Sequence, residues 1–121
     1  MPAMTASTTI RDWDLQRAVD LFLKQARATY DVRAAYLFGS RARGDDHAES
    51  DADVAVLLNG APGSLIDTKL DMADLAYDAM LETGVRIQAL PLWRLHWDDP
   101  GSFSNPELIR TIQREGVALK E

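Results

Sequence analysis

Two short apolar segments, separated by a polar stretch, constrain the fold of this sequence more than any other feature. Residues 32–38 (VRAAYLF) are apolar and aromatic-rich without a helical period, and they lead into Gly39-Ser40. Residues 51–58 (DADVAVLL) begin with two carboxylates and continue as an apolar, β-branched run. Both patterns are typical of buried strands. The polar residues 40–50 between them are expected to form a loop and a short helix.

Helical periodicity occurs on both sides of these segments. Apolar residues recur at three- and four-residue intervals across residues 10–29 and again from residue 66 until Gly84. The recurring positions are Leu15, Val19, Phe22 and Ala26 in the first segment, and Ile66, Leu70, Ala73, Tyr77 and Met80 in the second. A capping box formed by Thr9 and Asp12 precedes the first segment. The pattern therefore predicts two long helices.

The last third of the sequence predicts one more strand and a closing helix. Residues 85–92 (VRIQALPL) are typical of a strand, and Pro91 indicates a sheet edge or strand end because proline cannot donate a ladder hydrogen bond. Residues 106–115 form the predicted final helix, with Ser104 and Glu107 as its capping box. Together the elements predict a small α/β (α+β) domain with a mixed, few-stranded sheet covered by helices.

Length and composition point to one domain and exclude several function classes. With 121 residues, 46% of them hydrophobic, residues 1–121 are expected to be a single domain with a flexible leader at 1–9. The formal charge of −6 opposes a broad grip on a nucleic-acid backbone, and no apolar run is long enough to span a bilayer. The absence of cysteine and of a signal-peptide pattern favours a cytoplasmic protein.

Gly39-Ser40 and Asp51-Ala52-Asp53 bring two chemistries to the ends of the predicted strands. Glycine lets the backbone approach a phosphate closely, and the serine hydroxyl and following N–H groups can bind its oxygens. Asp51 and Asp53 are two residues apart on a strand, so their carboxylates point to the same face. Such a pair is costly to ionise unless a cation such as Mg²⁺ intervenes. The pattern therefore predicts a metal-bound phosphate site.

Each half of this pattern also has an ordinary structural interpretation. Gly39-Ser40 alone is compatible with a strand-to-helix turn, and the two aspartates alone with a solvated pair at a loop end. Arg41 and Arg43 follow the glycine closely and could contact phosphates, or they could form surface ion pairs with nearby acids. The combination of both halves between two buried strands favours the phosphate and metal site.

The same residues carry a resemblance to a known superfamily. Gly39-Ser40, ten intervening positions and Asp51-Ala52-Asp53 resemble the signature of the DNA polymerase beta-like nucleotidyltransferases. The segment GSRARGDDHAESDADVAVLL and the tail SNPELIRTIQREGVALKE are similar to its minimal nucleotidyltransferase (MNT) branch. The resemblance implies triphosphate binding by the glycine and serine, and metal binding and catalysis by the two aspartates. It also implies ATP or another nucleoside triphosphate as substrate and Mg²⁺, or alternatively Mn²⁺, as cofactor.

The sequence departs from the family pattern at one position of the expected site. A third carboxylate is usual on a later strand, where it helps to bind metal or to activate the attacking hydroxyl. In VRIQALPL the alternate positions of one face are Arg86 and Gln88, and neither can serve as an anionic ligand or a carboxylate base. Two interpretations therefore stay open: a nucleotidyltransferase of the protein adenylyltransferase type, and a catalytically impaired nucleotide-binding module.

The resemblance also implies a partner. Longer relatives carry an added acceptor-binding domain, for which this chain has no length, so the acceptor is expected to come from elsewhere. Minimal members are often paired with an all-helical HEPN ribonuclease toxin, which implies an MntA-type antitoxin that transfers AMP to that toxin. The alternatives are neutralisation of the toxin by direct binding, and a small-molecule nucleotidyltransferase assembled as a homo-oligomer.

An acidic stripe accompanies the apolar positions of the second predicted helix. Its members are Asp67, Asp71, Asp74, Asp78 and Glu82. Like charges at this spacing repel by roughly 0.2–0.5 kcal/mol per pair. The stripe is typical of a solvated face, and the alternative interpretation is a docking edge for a basic partner.

Overall fold

A four-stranded mixed sheet organises the part of the chain that the computed structural model describes, namely residues 13–39, 42 and 51–119. The elements in chain order are α1 (Trp13–Thr29), β1 (Val32–Phe38), β2 (Ala52–Leu58), α2 (Leu65–Thr83), β3 (Ile87–Trp93), α3 (Arg94–Asp98), a 3-10 turn (Pro100–Ser102), α4 (Pro106–Glu115) and β4 (Val117–Ala118). The strands lie in the order β3-β2-β1-β4, with β1 antiparallel to both of its neighbours and β2 parallel to β3. This confirms the predicted α+β architecture.

The two faces of the sheet pack against different helices. On one face, Val54 and Val56 of β2 lie in a cluster with buried side chains of α1 and α2, including Phe22. On the other face, Ala55 and Leu57 pack with side chains of β3 and α4. Burying a large apolar side chain completely, as for Phe22 at 0% exposure, contributes roughly 1.5–3 kcal/mol. Since successive strand residues alternate between faces, β2 joins two separate apolar layers.

The first helix follows its predicted apolar pattern. All four recurring positions are buried: Leu15, Val19, Phe22 and Ala26. The helix is described from Trp13 onward. The predicted leader at 1–9, the Thr9 and Asp12 capping box, and the loop and helix at 40–50 other than Ala42 lie outside the described residues.

The second helix is confirmed, but the side that it buries is not the side that carries the predicted apolar repeat. The Ser64 side chain caps α2 by accepting a hydrogen bond from the Asp67 N–H at 3.2 Å, and Gly84 ends the helix with φ +80°. The buried residues are Met72, Ala76 and Ala79. The small alanines let the helix lie close to α1 and β3, so packing rather than the longest apolar repeat determines the inner face.

The final helix has its predicted bounds but a different cap. Asn105, not Ser104, is the N-cap, and its side chain accepts a hydrogen bond from the Leu108 N–H at 3.3 Å. Proline is favoured at the first helical position, so the helix begins at Pro106 and the residue before it, Asn105, is the N-cap. Glu107 instead forms an ion pair with Arg110 at 3.0 Å.

A two-residue strand that the sequence did not predict follows this helix. In β4, Val117 pairs with Leu37 and Ala118 pairs with Tyr36 of β1. A Cβ at Gly116 would lie 2.5 Å from the Ile112 carbonyl oxygen, so glycine permits the tight passage from helix to strand.

The third strand lies at the edge of the sheet, as Pro91 indicated. It runs to Trp93 and passes directly into α3. None of the helices within the described ranges combines the length and the apolar character that crossing a membrane requires.

Candidate functional site

Three strands position the candidate site at the start of β2. The antiparallel register places Phe38 of β1 opposite Asp53, and the parallel register places Gln88 of β3 opposite Asp53 on the other side. Directly opposed residues of neighbouring strands point to the same face of a sheet. Phe38, Asp53 and Gln88 therefore form one row across the sheet, on the face that α4 partly covers.

The glycine turn lies directly against the Asp53 carboxylate. Gly39 follows β1 with φ +77°, a left-handed conformation that favours glycine. A Cβ built on Gly39 would lie 2.5 Å from Oδ2 of Asp53. The Gly39 carbonyl accepts a hydrogen bond from the Ala42 N–H at 3.1 Å. Glycine is thus needed here for both its backbone angle and its lack of a side chain.

The Asp53 carboxylate lies in an environment that opposes its ionisation. Asp51 immediately precedes β2, and both it and Asp53 are half-buried. Burial raises the pKa of Asp53 above its usual 3.8, and the negative charge of Asp51 raises that pKa further. A bound cation would relieve both effects. The pair is therefore suited chemically to a divalent metal shared with the oxygens of a substrate.

An amide occupies the position next to this pair. Gln88 is exposed and is the register partner of Asp53, so it lies where a third carboxylate could complete a metal site. Among the described residues, no group of three or more histidine, cysteine or acidic side chains could hold a metal ion. Any metal bound here would need additional ligands from water or substrate phosphates, as Mg²⁺ commonly has.

Arg86 has a different position from Gln88. Its carbonyl accepts a hydrogen bond from the Ala52 N–H at 2.8 Å, which extends the ladder just before β3. The residue also lines a pocket between α2 and β3. Of the two residues considered for the third acidic position, Gln88 is thus the one paired with Asp53.

Three predicted nucleotide-binding residues, Ser40, Arg41 and Arg43, lie outside the described residues. Their neighbour Ala42 is half-buried and packs against the larger apolar cluster. The structure thus brings together Gly39 and Asp53, while phosphate binding by the serine and the arginines stays a prediction.

Phe38 is a neighbour of the site that sequence reasoning did not single out. It is half-buried and opposes Asp53 across the β1 and β2 ladder. Its position in the register places an apolar residue next to Asp53, whose pKa is raised by burial and by Asp51. Antiparallel pairing of the two strands was the missing information, since it alone determines which β1 residue faces the acid.

Comparison with known protein families identifies the family of this chain. The sequence profile of the family described as "Polymerase beta, Nucleotidyltransferase" matches residues 9–90, which include the glycine turn, both aspartates and Gln88. No curated protein matches the sequence.

Two solved structures share the fold. A candidate nucleotidyltransferase from Sulfolobus solfataricus is 16% identical with a TM-score of 0.52, over 93% of this chain and 90% of that chain. A chain of a toxin-antitoxin crystal structure with AMP-PNP is 19% identical with a TM-score of 0.60, over 87% of this chain and 72% of that chain. At such identities these similarities demonstrate the fold alone, whereas the profile match covers more than half of the chain. The chain belongs to the polymerase beta nucleotidyltransferase family.

Proposed function

We propose that this chain is the antitoxin of a toxin-antitoxin pair, and that it transfers a nucleoside monophosphate, AMP from ATP, to a HEPN-type toxin in a Mg²⁺-dependent reaction in the cytoplasm. The observation that carries the proposal is the close approach of the Gly39 turn to the Asp53 carboxylate. Gly39 leaves room for Oδ2 of Asp53, and Asp51 lies two residues before that acid. The structural similarity to a chain of a toxin-antitoxin crystal structure with AMP-PNP supports the choice of partner and nucleotide.

The donor set fits a divalent cation with a triphosphate. Asp51 and Asp53 would hold the cation, because binding offsets the repulsion and burial that raise the pKa of Asp53. Gly39 would let the backbone of the turn approach phosphate oxygens closely, and its lack of a side chain leaves room for Oδ2 of Asp53. When bound, a Mg²⁺–nucleoside triphosphate supplies an electrophilic phosphate and neutralises the charge of the departing pyrophosphate. The protein's own contribution is to position these groups.

A second function is favoured by the identity of Gln88. Its amide can donate and accept hydrogen bonds to a substrate, but it cannot take a proton from an attacking hydroxyl or add negative charge to a metal site. Under this alternative, the chain binds nucleotide and neutralises the toxin by direct binding without modifying it.

Labelled ATP distinguishes the two functions. The chain is incubated with Mg²⁺, the HEPN-type toxin and ATP labelled at the α-phosphate or, in parallel, at the γ-phosphate. Nucleotidyl transfer predicts label on the toxin from the α-phosphate alone, and Asp53→Asn should abolish it. Direct neutralisation predicts no labelled toxin, with equal protection by the wild type and by Asp53→Asn. Absence of Mg²⁺-dependent ATP binding to the wild type would contradict both functions.

A further inference from the structure

The outer side of α2 exposes a continuous row of large apolar side chains. Of the six such side chains exposed among the described residues, four lie on this helix. They are Ile66 (70% exposed), Leu70 (62%), Tyr77 (55%) and Leu81 (65%). Because an α-helix turns by about 100° per residue, these four positions share one side, away from the buried Met72 and Ala76. We refer to these four residues as the α2 stripe.

A pocket borders the α2 stripe. It has a volume of about 160 Å³ and lies between α2 and the edge strand β3, with Tyr77, Met80 and Ile87 among its lining residues. Ala73, Ala76 and Arg86 complete its lining, so the pocket is mostly apolar with one cationic residue. The pocket can therefore receive an apolar side chain of a partner that lies along the stripe. Single exposed apolar residues are ordinary on protein surfaces, whereas a contiguous patch beside a pocket indicates an interaction site.

Acidic side chains flank the same stripe. Asp67, Asp71, Asp74, Asp78 and Glu82 are exposed, and α2 contains a single basic residue, Lys69. Asp71 accepts a hydrogen bond from the Tyr30 hydroxyl at 2.9 Å. Within the described residues, the side chains of Asp74, Asp78 and Glu82 have no cationic partner. A row of mutually repelling acids beside an apolar stripe is complementary to an apolar surface bordered by lysine or arginine.

We propose that the α2 stripe, its pocket and its acidic flank bind a basic amphipathic helix of a protein partner. An apolar helix face would cover the stripe, and flanking Lys or Arg side chains would pair with Asp74 and Asp78. A second copy of this chain fits less well, because its own α2 offers only Lys69 to pair with the acidic residues. The identification of that partner as the toxin rests on the proposed function, whereas the binding of a basic helix does not.

The docking surface and the carboxylate site lie on opposite sides of the sheet. The α2 helix covers the face that carries Val54, whereas Asp53 lies on the face of Ala55. A partner on α2 therefore leaves Asp51 and Asp53 uncovered. Binding through α2 is separable from nucleotide chemistry, and Asp53→Asn should not weaken it.

The first test uses a designed helical peptide, which does not depend on the identity of the toxin. Its leucines follow the i, i+3, i+4, i+7 pattern and lysines flank them, and two controls carry glutamates for lysines or a scrambled order. We expect the lysine peptide to bind the wild-type chain about tenfold more tightly than either control, and Leu70→Gln/Tyr77→Gln to remove that preference. Leu95→Gln is the matched control, because Leu95 is 51% exposed but lies on α3. Equal binding of all three peptides, or equal effects of both variants, would overturn the proposal.

The second test titrates the purified toxin into the chain and its variants by calorimetry. Leu70→Gln/Tyr77→Gln should weaken binding roughly 100-fold, and Leu95→Gln should leave it unchanged. Asp74→Asn/Asp78→Asn should weaken binding about tenfold without lowering the melting temperature, because it removes a like-charge pair from the helix. If the variant instead lost binding because it unfolds, both its affinity for the toxin and its melting temperature would fall. Toxin binding that none of these variants alters would overturn the α2 surface while leaving the proposed function intact.

Sedimentation of the chain alone identifies a different occupant. The proposal expects a monomer whose sedimentation is the same for the wild type and Leu70→Gln/Tyr77→Gln. A wild-type dimer that this variant dissociates would show that a second copy covers the stripe, and the proposal would then be wrong. If the toxin does not bind the wild type at all, the proposed function fails, and the peptide measurement alone decides whether α2 binds a basic helix.

Discussion

The start of β2 and the outer side of α2 both carry side chains in unfavourable surroundings. At β2 the side chain is a half-buried carboxylate, and on α2 the side chains are exposed apolar groups. At the start of β2, Asp53 is a carboxylate held half-buried beside another acid, and its pKa is raised as a result. On α2, Ile66 and Leu70 are apolar side chains held in solvent, although the same helix buries Met72 and Ala76 on its inner side. A charged group lies where burial opposes charge, and apolar groups lie where water opposes exposure.

This difference indicates two different kinds of ligand. The carboxylate pair would be stabilised by a small cation with its substrate, whereas the α2 stripe would be stabilised by another protein surface. Because the two regions lie on opposite sides of the sheet, a substitution in one should leave the other intact. The following predictions test that separation, from the largest expected effect to the smallest.

Introducing a third acid should change the carboxylate site most. Gln88→Asp places a carboxylate in register with Asp53, and we expect α-phosphate label to appear on the toxin about 100-fold faster, as a general base commonly provides. The initial rate of label transfer measures the effect, with Gln88→Asn as the control of equal length. Toxin affinity should stay unchanged. If Gln88→Asp transfers label at the wild-type rate and still requires Asp53, the Gln88 amide does not limit turnover.

Two glycines with similar backbone angles separate conformational strain from crowding of the site. Gly60→Ala should lower the free energy of unfolding by about 1–2 kcal/mol, because φ is +87° and no atom crowds the new Cβ. Gly39→Ala has the same strain at φ +77° and also displaces the Asp53 carboxylate, so we expect a further loss of about 1–3 kcal/mol. Urea unfolding measures both variants.

Nucleotide binding provides a second contrast between these glycines. Only Gly39→Ala should abolish Mg²⁺-dependent ATP binding, which calorimetry can measure. Equal losses of stability and unchanged ATP binding in both variants would show that the contact between Gly39 and Asp53 has no functional consequence.

Removing the Asp53 charge should stabilise the isolated protein modestly. Burial and Asp51 raise the pKa of Asp53 in the folded state, so the folded protein holds this proton more tightly than the unfolded chain. The resulting destabilisation is fully present above the raised pKa and is lost as the pH falls through it towards the usual value of 3.8. Asp53→Asn should therefore melt at a higher temperature than the wild type at pH 7, with a difference that shrinks on acidification. A lower melting temperature at pH 7 would contradict the assigned electrostatic cost.

The smallest effect concerns the acidic flank of α2. Burial and the hydrogen bond to Asp71 raise the pKa of Tyr30 to about 12. Asp71→Asn should bring this pKa back towards 10 and lower the free energy of unfolding by about 0.5–1 kcal/mol. Ultraviolet titration of tyrosine ionisation measures the shift, with Asp74→Asn as a control that leaves Tyr30 unchanged. An identical titration curve in both variants would show that Asp71 does not hold the Tyr30 hydroxyl.

Local sequence patterns predicted the secondary structure well where neighbouring residues determine it. The bounds of β1 and α4 match the predictions, because β1 is an apolar run that leads into Gly39-Ser40 and α4 has capping residues and Pro106 at its start. The inner face of α2 could not be predicted from its period. Alanines such as Ala76 and Ala79 are buried only because α1 and β3 approach them, and that approach depends on the tertiary fold.

Those features of the candidate site that depend on residues close together in sequence were predictable. The proximity of Asp51 to Asp53 follows from their spacing alone, whereas the close approach of Gly39 to Asp53 and the adjacency of Gln88 depend on strand pairing. Strand direction and register are long-range properties, and the sequence contained no signal for them. For the same reason β4 was missed, since two residues form a strand only through their partner.

The short strand β4 makes the segment after α4 sensitive to insertions and deletions. Val117 pairs with Leu37, two positions before Gly39, and the Leu119 N–H donates to the Ala35 carbonyl at 2.9 Å. The segment after α4 thus pairs with the strand that ends at the Gly39 turn. An insertion or a deletion between α4 and Leu119 should therefore disturb β1 and, with it, the proposed nucleotide site.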